Sequence, residues 1–186
     1  MADPLTPCAA FEGDRLIAAG PLAHVAPAVR AVLDQRPNAA VLFLGDDDSG
    51  RIEVDLRGTV DEVAARLVAV EVKGPGRPKL GVVPREVTLL PRHWDWLSAQ
   101  SGGASVALRK LVDAARKDPR ERARAGRDSA YRFMTTLAGD APGFEDAVRA
   151  LYAGDRQGFE AHTRAWSSDV RAHALRLAAP GLGGES

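Results

Sequence analysis

Lys73-Gly74-Pro75-Gly76-Arg77-Pro78-Lys79 sets three cations and four chain breakers within seven residues. Breakers at that density predict an extended basic arm, and the chemistry open to such an arm is the neutralisation of phosphates. The charge around it is skewed the same way. Residues 1–72 hold 6 basic and 12 acidic side chains, residues 73–132 hold 14 and 6, and residues 133–186 hold 5 and 7. The formal total of zero, from 25 of each sign, therefore conceals a basic middle between acidic flanks. Such asymmetry points to a polyanionic partner, with DNA as the first expectation.

Other reactive residue types are sparse. Cys8 is the single cysteine, which fits a reducing compartment. The chain has no G-x-S-x-G, H-E-x-x-H, Walker loop or dinucleotide fingerprint, so no enzyme activity and no cofactor are expected. His24, His93, His162 and His173 are dispersed; His162 and His173 fall on successive helical segments where they would share a metal, or a base role with Asp155 or Asp169, only if they faced each other. His93 stands between Arg92 and Trp94, an aromatic pair with Trp96 that reads as core plus dimer contact. Asp46-Asp47-Asp48-Ser49-Gly50 resembles a calcium loop only until it is aligned. With Gly50 at the turn glycine, Gly45 and Leu56 fall on the first and last ligand positions, so an acidic hairpin turn is expected and no metal.

At 186 residues with 45% hydrophobic content, the chain can bury a substantial core. The fold class expected is α+β. Residues 1–72 read as a ββαββα unit: Cys8–Glu12 and Arg15–Ala19 around a Gly13-Asp14 turn, a helix after Pro21, the run Val41–Leu44, an alternating Ile52, Val54, Leu56, and a helix capped by Thr59 with Glu62 completing a capping box. Residues 73–84 are the basic linker. Residues 85–118 give a strand over Glu86–Leu90, a helix opening at Pro91, a Gly102-Gly103 turn, and a helix capped by Ser105 with Leu108, Leu111, Val112 and Ala115 on one stripe.

Residues 119–180 read as helical. Tyr131, Met134 and Leu137 or Ala138 form one face of the first helix, and A-G-D-x-x-G-F-E then occurs at Ala138 and again fifteen residues later at Ala153. Each copy has a Gly to end one helix and an Asp to cap the next. Phe144, Ala147, Val148 and Leu151 match Phe159, His162, Thr163 and Trp166, so a helical hairpin is expected, closed by a helix bearing Val170, Ala174 and Leu177. Residues 181–186 are expected as a disordered tail.

Val87-Thr88-Leu89-Leu90-Pro91, the helix around Trp94 and Leu97, the Gly102-Gly103 turn and Ser105-x-x-Leu108-x-x-Leu111-Val112 together resemble the ribbon-helix-helix DNA-binding module. The resemblance implies a homodimer in which two chains each lend a strand to a ribbon in the major groove. It assigns Thr88 to the ribbon, and Ala104 and Ser105 to a phosphate at the N-terminus of the second helix. With Val87 and Leu89 inward, the outward set is Glu86, Thr88 and Leu90; the opposite parity turns Arg85 outward. The alternative is an ordinary strand and helical hairpin packed within the protein.

Gly76-Arg77-Pro78-Lys79 resembles an AT-hook core, which lies in the narrow minor groove of A·T-rich DNA, although Pro75 replaces the preceding arginine. A plain basic linker is the alternative there. Over a longer stretch, Gly76–Val83, Arg85–Leu97 and Gly102–Val112 resemble the signature of the bacterial domain-of-unknown-function family 2239, which implies no activity.

These readings converge on a DNA-binding protein, a transcriptional regulator in the first instance, whose contact set is Arg77, Lys79, Arg85, Thr88, Arg92, Ser105 and Arg109. A non-catalytic protein-interaction scaffold is the alternative. No run approaches a membrane span, the acidic start Met1-Ala2-Asp3-Pro4 lacks a signal-peptide n-region, and a bacterial cytoplasmic location is expected.

Overall fold

The computed structural model describes residues 3–67 and 85–183. In chain order the elements are β1 Pro7–Glu12, β2 Arg15–Pro21, α1 Leu22–Gln35, β3 Val41–Gly45, α2 Val60–Leu67, α3 Pro91–Ser98, α4 Gly103–Lys117, α5 Pro119–Ala138, α6 Phe144–Ala153, α7 Arg156–His162 and α8 Ser168–Ala178. Three antiparallel strands in the order β2-β1-β3 and eight helices thus make a mixed α and β fold among the described residues. Contacts divide the chain into two compact units, one formed by Met1–Ala69 with Arg122–Ser186 and the other by Val70–Glu121.

The first unit is organised by its central strand. Side chains alternate between the two faces of a strand, and β1 is apolar on both parities. Ala9 and Phe11 join Leu44 in a core with α5, α6, α7 and α8, while Cys8 and Ala10 join Phe43 in a second core with α1 and α2. All four β1 residues are fully buried. A sheet covered on both faces needs helices on both sides, and the C-terminal helices supply the second layer. Residues 1–72 and 119–180, expected as separate regions, therefore share one core. Leu182, placed by the sequence in a disordered tail, is 1% exposed within that core.

The hairpin forms as expected, with Gly13 at φ +58° in its turn. The expected fourth strand does not. Ile52, Val54 and Leu56 do alternate inward against the Cys8 core, but pairing beyond β3 stops at a single bridge, Leu44 to Arg51, with Ile52 N–H donating to the Phe43 carbonyl at 3.0 Å. Beyond it, the Arg66 guanidinium donates to the carbonyls of Asp55 and Arg57, occupying acceptors a partner strand would have used. The capping box at the start of α2 is present: Glu62 N–H donates to Thr59 Oγ1 at 3.2 Å and Thr59 N–H to Glu62 Oε2 at 2.7 Å.

The turn between β3 and Arg51 is fixed to α5. Ser49, at φ +53°, is buried and its hydroxyl lies 2.9 Å from both the carbonyl oxygen and Oγ of Ser129. α5 buries Ser129, Ala130, Phe133, Met134 and Ala138, whereas Tyr131, expected inward, is exposed and meets Tyr152 of α6 edge to face at 6.1 Å.

The sequence repeat is not matched by a structural one. Asp155 caps α7 by accepting from Gly158 N–H at 2.9 Å, and Gly154 ends α6 in the left-handed conformation. Asp140 does not cap α6, which begins four residues later at Phe144, behind Gly143 at φ +79°. The Pro142 carbonyl instead accepts from Trp166 Nε1–H at 2.9 Å, so the first copy forms a turn that docks the tryptophan.

Candidate nucleic-acid interface

In the second unit, the described residues begin with 85–90, which hold no regular secondary structure and join no sheet. The strand expected over Glu86–Leu90 is therefore not formed, and the segment has no ladder partner among the described residues. Pro91 opens α3 at its first position, where its missing N–H costs nothing. After α3 the chain turns through Gly102 at φ +87° and Gly103 at φ +73° into α4. The α4 N-cap is Gly102, with no side-chain cap, so Ser105 is the third residue of the helix and not its cap. The two left-handed glycines start the helix three residues earlier than a serine cap would.

No acidic residue stands in the first turn of α4, and Arg116 and Lys117 stand in its last, a distribution that leaves the positive end of the helix uncompensated by side-chain charge. Asp118 closes α4 with its N–H on the Ala115 carbonyl at 3.1 Å and receives Arg120 N–H on Oδ1 at 2.8 Å.

Arg85, Thr88, Arg92, Ser105 and Arg109 are all exposed in this unit. Arg77 and Lys79, with the whole AT-hook-like segment and the linker 73–84, lie outside the described residues. Residues 70–121 carry 10 basic and 6 acidic side chains, against 15 and 19 in the rest of the chain, so the excess of cations lies in the second unit.

The unit buries little of its own apolar surface. Leu97 and Ala107 are its buried apolar residues among those described, while Val87, Leu90, Trp94, Trp96, Leu111 and Val112 are exposed. The α4 stripe that reads as core in the sequence is thus bare: Leu111 is 49% and Val112 55% exposed, and every residue from Arg109 to Lys117 is exposed. An α-helix of this length draws most of its stability from packing an apolar face. Trp94 and Trp96, expected as core plus dimer contact, are both exposed.

Several reactive groups of the first unit are committed to structure. His173 is buried between Phe11 and Phe133, with ring centroids 5.3 and 4.5 Å away, and His162 is exposed, so the two histidines do not converge. Asp155 caps α7, and Asp169 accepts from Leu16 N–H at 2.9 Å. Asp46 binds Arg176, and Asp48 accepts from Gly50 N–H at 2.8 Å, so two carboxylates of the acidic run hold the turn and α8. Burial, reinforced by Asp46, pushes the Cys8 thiol up to about 11, which keeps it protonated and unreactive. The His173 cluster was not legible in the sequence: His173 and Arg176 share a helix face, but nothing local links them to Asp46, 130 residues away.

Among the described residues no helix is long and apolar enough to cross a membrane. The family model described as an uncharacterized protein conserved in bacteria, domain-of-unknown-function family 2239, matches residues 7–178. The chain belongs to that family. The match spans residues of both units. No curated protein and no solved structure matches the chain.

Proposed function

We propose that the chain is a DNA-binding protein that acts as a homodimer through the unit Val70–Glu121. One observation carries the reading: residues 85–90, mostly exposed and without a sheet partner among the described residues, lead directly into two helices whose apolar stripe is uncovered. A second copy placed by two-fold symmetry pairs Glu86–Leu90 with its own counterpart and covers Leu111 and Val112 with the same residues of the partner. The resulting ribbon presents Thr88, or Arg85 in the opposite parity, to the major groove. The uncapped α4 N-terminus with Ser105 takes a phosphate, and Arg92 and Arg109 add cations. Arg77 and Lys79 act as the flanking arm.

Sedimentation of the full chain together with gel shifts on mixed, A·T-rich and G·C-rich duplexes tests this. A dimer whose duplex affinity falls steeply and linearly in log salt is expected. A monomer, or a dimer that binds no duplex, or binding indifferent to salt overturns the reading. A salt-stable dimer without duplex binding favours the alternative, a non-catalytic interaction scaffold built on the same apolar surface.

A further inference from the structure

The two halves of α5 are covered differently. From Ser129 onward the helix buries Ser129, Ala130, Phe133, Met134 and Ala138, whereas Arg122 to Asp128 contribute no buried residue. The chain that follows α8 lies against that first half. A Cβ on Gly126 would stand 3.0 Å from the Leu177 carbonyl oxygen and 3.2 Å from the Pro180 ring. One on Gly181 would stand 2.9 Å from the Ala123 carbonyl oxygen and 2.5 Å from Arg127 Cγ. A larger side chain at either glycine would therefore push the two segments apart. Of residues 179–183, Leu182 is the one whose side chain enters the core, while Ala179 and Pro180 are exposed. Gly181 and Leu182 N–H both donate to the Ala178 carbonyl, at 2.8 and 3.1 Å, so those bonds stay within the end of α8. Among the described residues, the one hydrogen bond from 179–183 to another element is Arg127 Nη1–H to the Gly181 carbonyl at 3.4 Å.

We propose that residues 179–183 are a strap that docks over the first half of α5 and is released in one step, leaving α5 held to the first unit only from Ser129 onward. One apolar anchor and one long hydrogen bond fix the strap from outside its own helix, so its opening breaks fewer interactions than opening of the sheet core. The helix beneath depends on it. A helical stretch without a packed face frays, and Gly126 in its middle lowers its intrinsic helicity further. Because α5 begins at Pro119 in the second unit, release adds Arg122–Asp128 to the connection between the two units. The strap belongs to the first unit and works whether or not the second binds DNA.

Hydrogen exchange of the full chain, followed on α5, β1 and Leu182 across a urea series, tests it. In the wild type, the amides of residues 124–128 and of Leu182 are expected to share one opening that depends little on urea, while β1 amides exchange through an opening that urea promotes steeply. Leu182→Ala, and a chain ending at Pro180, should speed exchange at 124–128 by about 10- to 100-fold, the factor that burial of one leucine represents, and leave β1 unchanged. Gly126→Val wedges the strap from the α5 side. Valine is a better helix former than glycine, so faster exchange in that variant reports the lost contact and not a weaker helix. If the shortened chain does not fold, Leu182→Ala and Gly126→Val carry the test. Exchange that accelerates equally in β1, or a wild-type opening at 124–128 as urea-dependent as that of β1, overturns the strap and makes Leu182 an ordinary core residue. Exchange at 124–128 that none of the variants alters overturns it by showing that the first half of α5 is held elsewhere.

Discussion

Arg176 holds Asp46 by both carboxylate oxygens, Nη1 to Oδ2 at 3.0 Å and Nη2 to Oδ1 at 2.8 Å, and thereby ties α8 to the end of β3 across 130 residues of sequence. The same Nη2 stands 3.1 and 3.2 Å from the two ring nitrogens of His173. The imidazole, closed in by Phe11 and Phe133, has a guanidinium as its polar neighbour. Burial first, and Arg176 second, lower its pKa to about 4, with Asp46 opposing.

That arrangement makes the first unit acid-sensitive in a defined window. The unfolded chain protonates His173 near pH 6.5 and the folded chain only near 4, so between those values the unfolded state binds the extra proton. The His173 contribution is complete above pH 6.5 and is lost as pH falls from there toward 4, below which it changes no further. Urea midpoints measured from pH 4 to 8 are expected to fall with acidity in the wild type. Replacing His173 by Phe, which keeps a ring between Phe11 and Phe133, should flatten that slope; an unchanged slope assigns the acid sensitivity to other groups.

Two glycines of the same left-handed conformation separate backbone strain from steric contact. A Cβ on Gly143 meets the His162 carbonyl oxygen at 2.6 Å, whereas one on Gly103 meets nothing within 4 Å. Gly103→Ala is expected to cost about 1 kcal/mol, the penalty for positive φ. Gly143→Ala adds displacement of a backbone carbonyl and should cost about 2 kcal/mol or more. Similar denaturant midpoints for the two variants are the result against this.

The repeat supplies an internal control on capping. Asp155→Ala removes the bond from Gly158 N–H and should destabilise the unit by about 1 kcal/mol. Asp140→Ala, at the equivalent place in the sequence, removes no cap and should change stability by less than about 0.5 kcal/mol. Chemical denaturation of the pair reads the difference directly.

The two copies of the repeat diverge directly after their aspartates. Pro142 and Gly143 turn the first copy where Gln157 and Gly158 continue the second as helix, and identical letters at Asp140 and Asp155 then do different work. Local chemistry was legible wherever the partners are near in sequence: the Gly13 turn, Pro91 at the head of α3, and the Thr59–Glu62 box. Long-range pairing was not. The alternation of Ile52, Val54 and Leu56 reports which side is buried, which holds, but burial on one side does not require a ladder partner. The strongest clue to the shared core was the apolar run Cys8–Phe11: a strand apolar on both parities needs cover on both faces, and the described residues 3–67 contain helices for only one. In the proposed interface the sequence located the cations and the apolar stripe, while Ser105 as a cap failed because a left-handed glycine pair can open a helix unaided.

The bare α4 stripe yields a prediction about assembly. Leu111→Glu and Val112→Glu place carboxylates where two copies are proposed to meet, so the double variant should sediment as a monomer and lose duplex binding. The first unit should be untouched, because neither residue belongs to its cores. Fluorescence of Trp166, buried there and isolated by Trp94→Phe and Trp96→Phe, should report an unchanged unfolding midpoint for that unit. A variant that remains dimeric removes α4 from the interface.

The arm is the most direct electrostatic test. Arg77→Ala with Lys79→Ala deletes two cations from a segment rich in glycine and proline, and charges of a linker contribute little to stability, so thermal unfolding should shift hardly at all. Each lost phosphate contact lowers the salt slope by roughly 0.9, which puts the expected decrease at about one to two, together with weaker duplex binding. If Arg77 enters a narrow minor groove, the loss is larger on A·T-rich than on G·C-rich duplexes, because groove width and the negative potential within it depend on sequence. Equal losses on both restrict the arm to phosphates. An unchanged slope makes it a tether alone, and a large fall in melting temperature makes it a packed part of the fold.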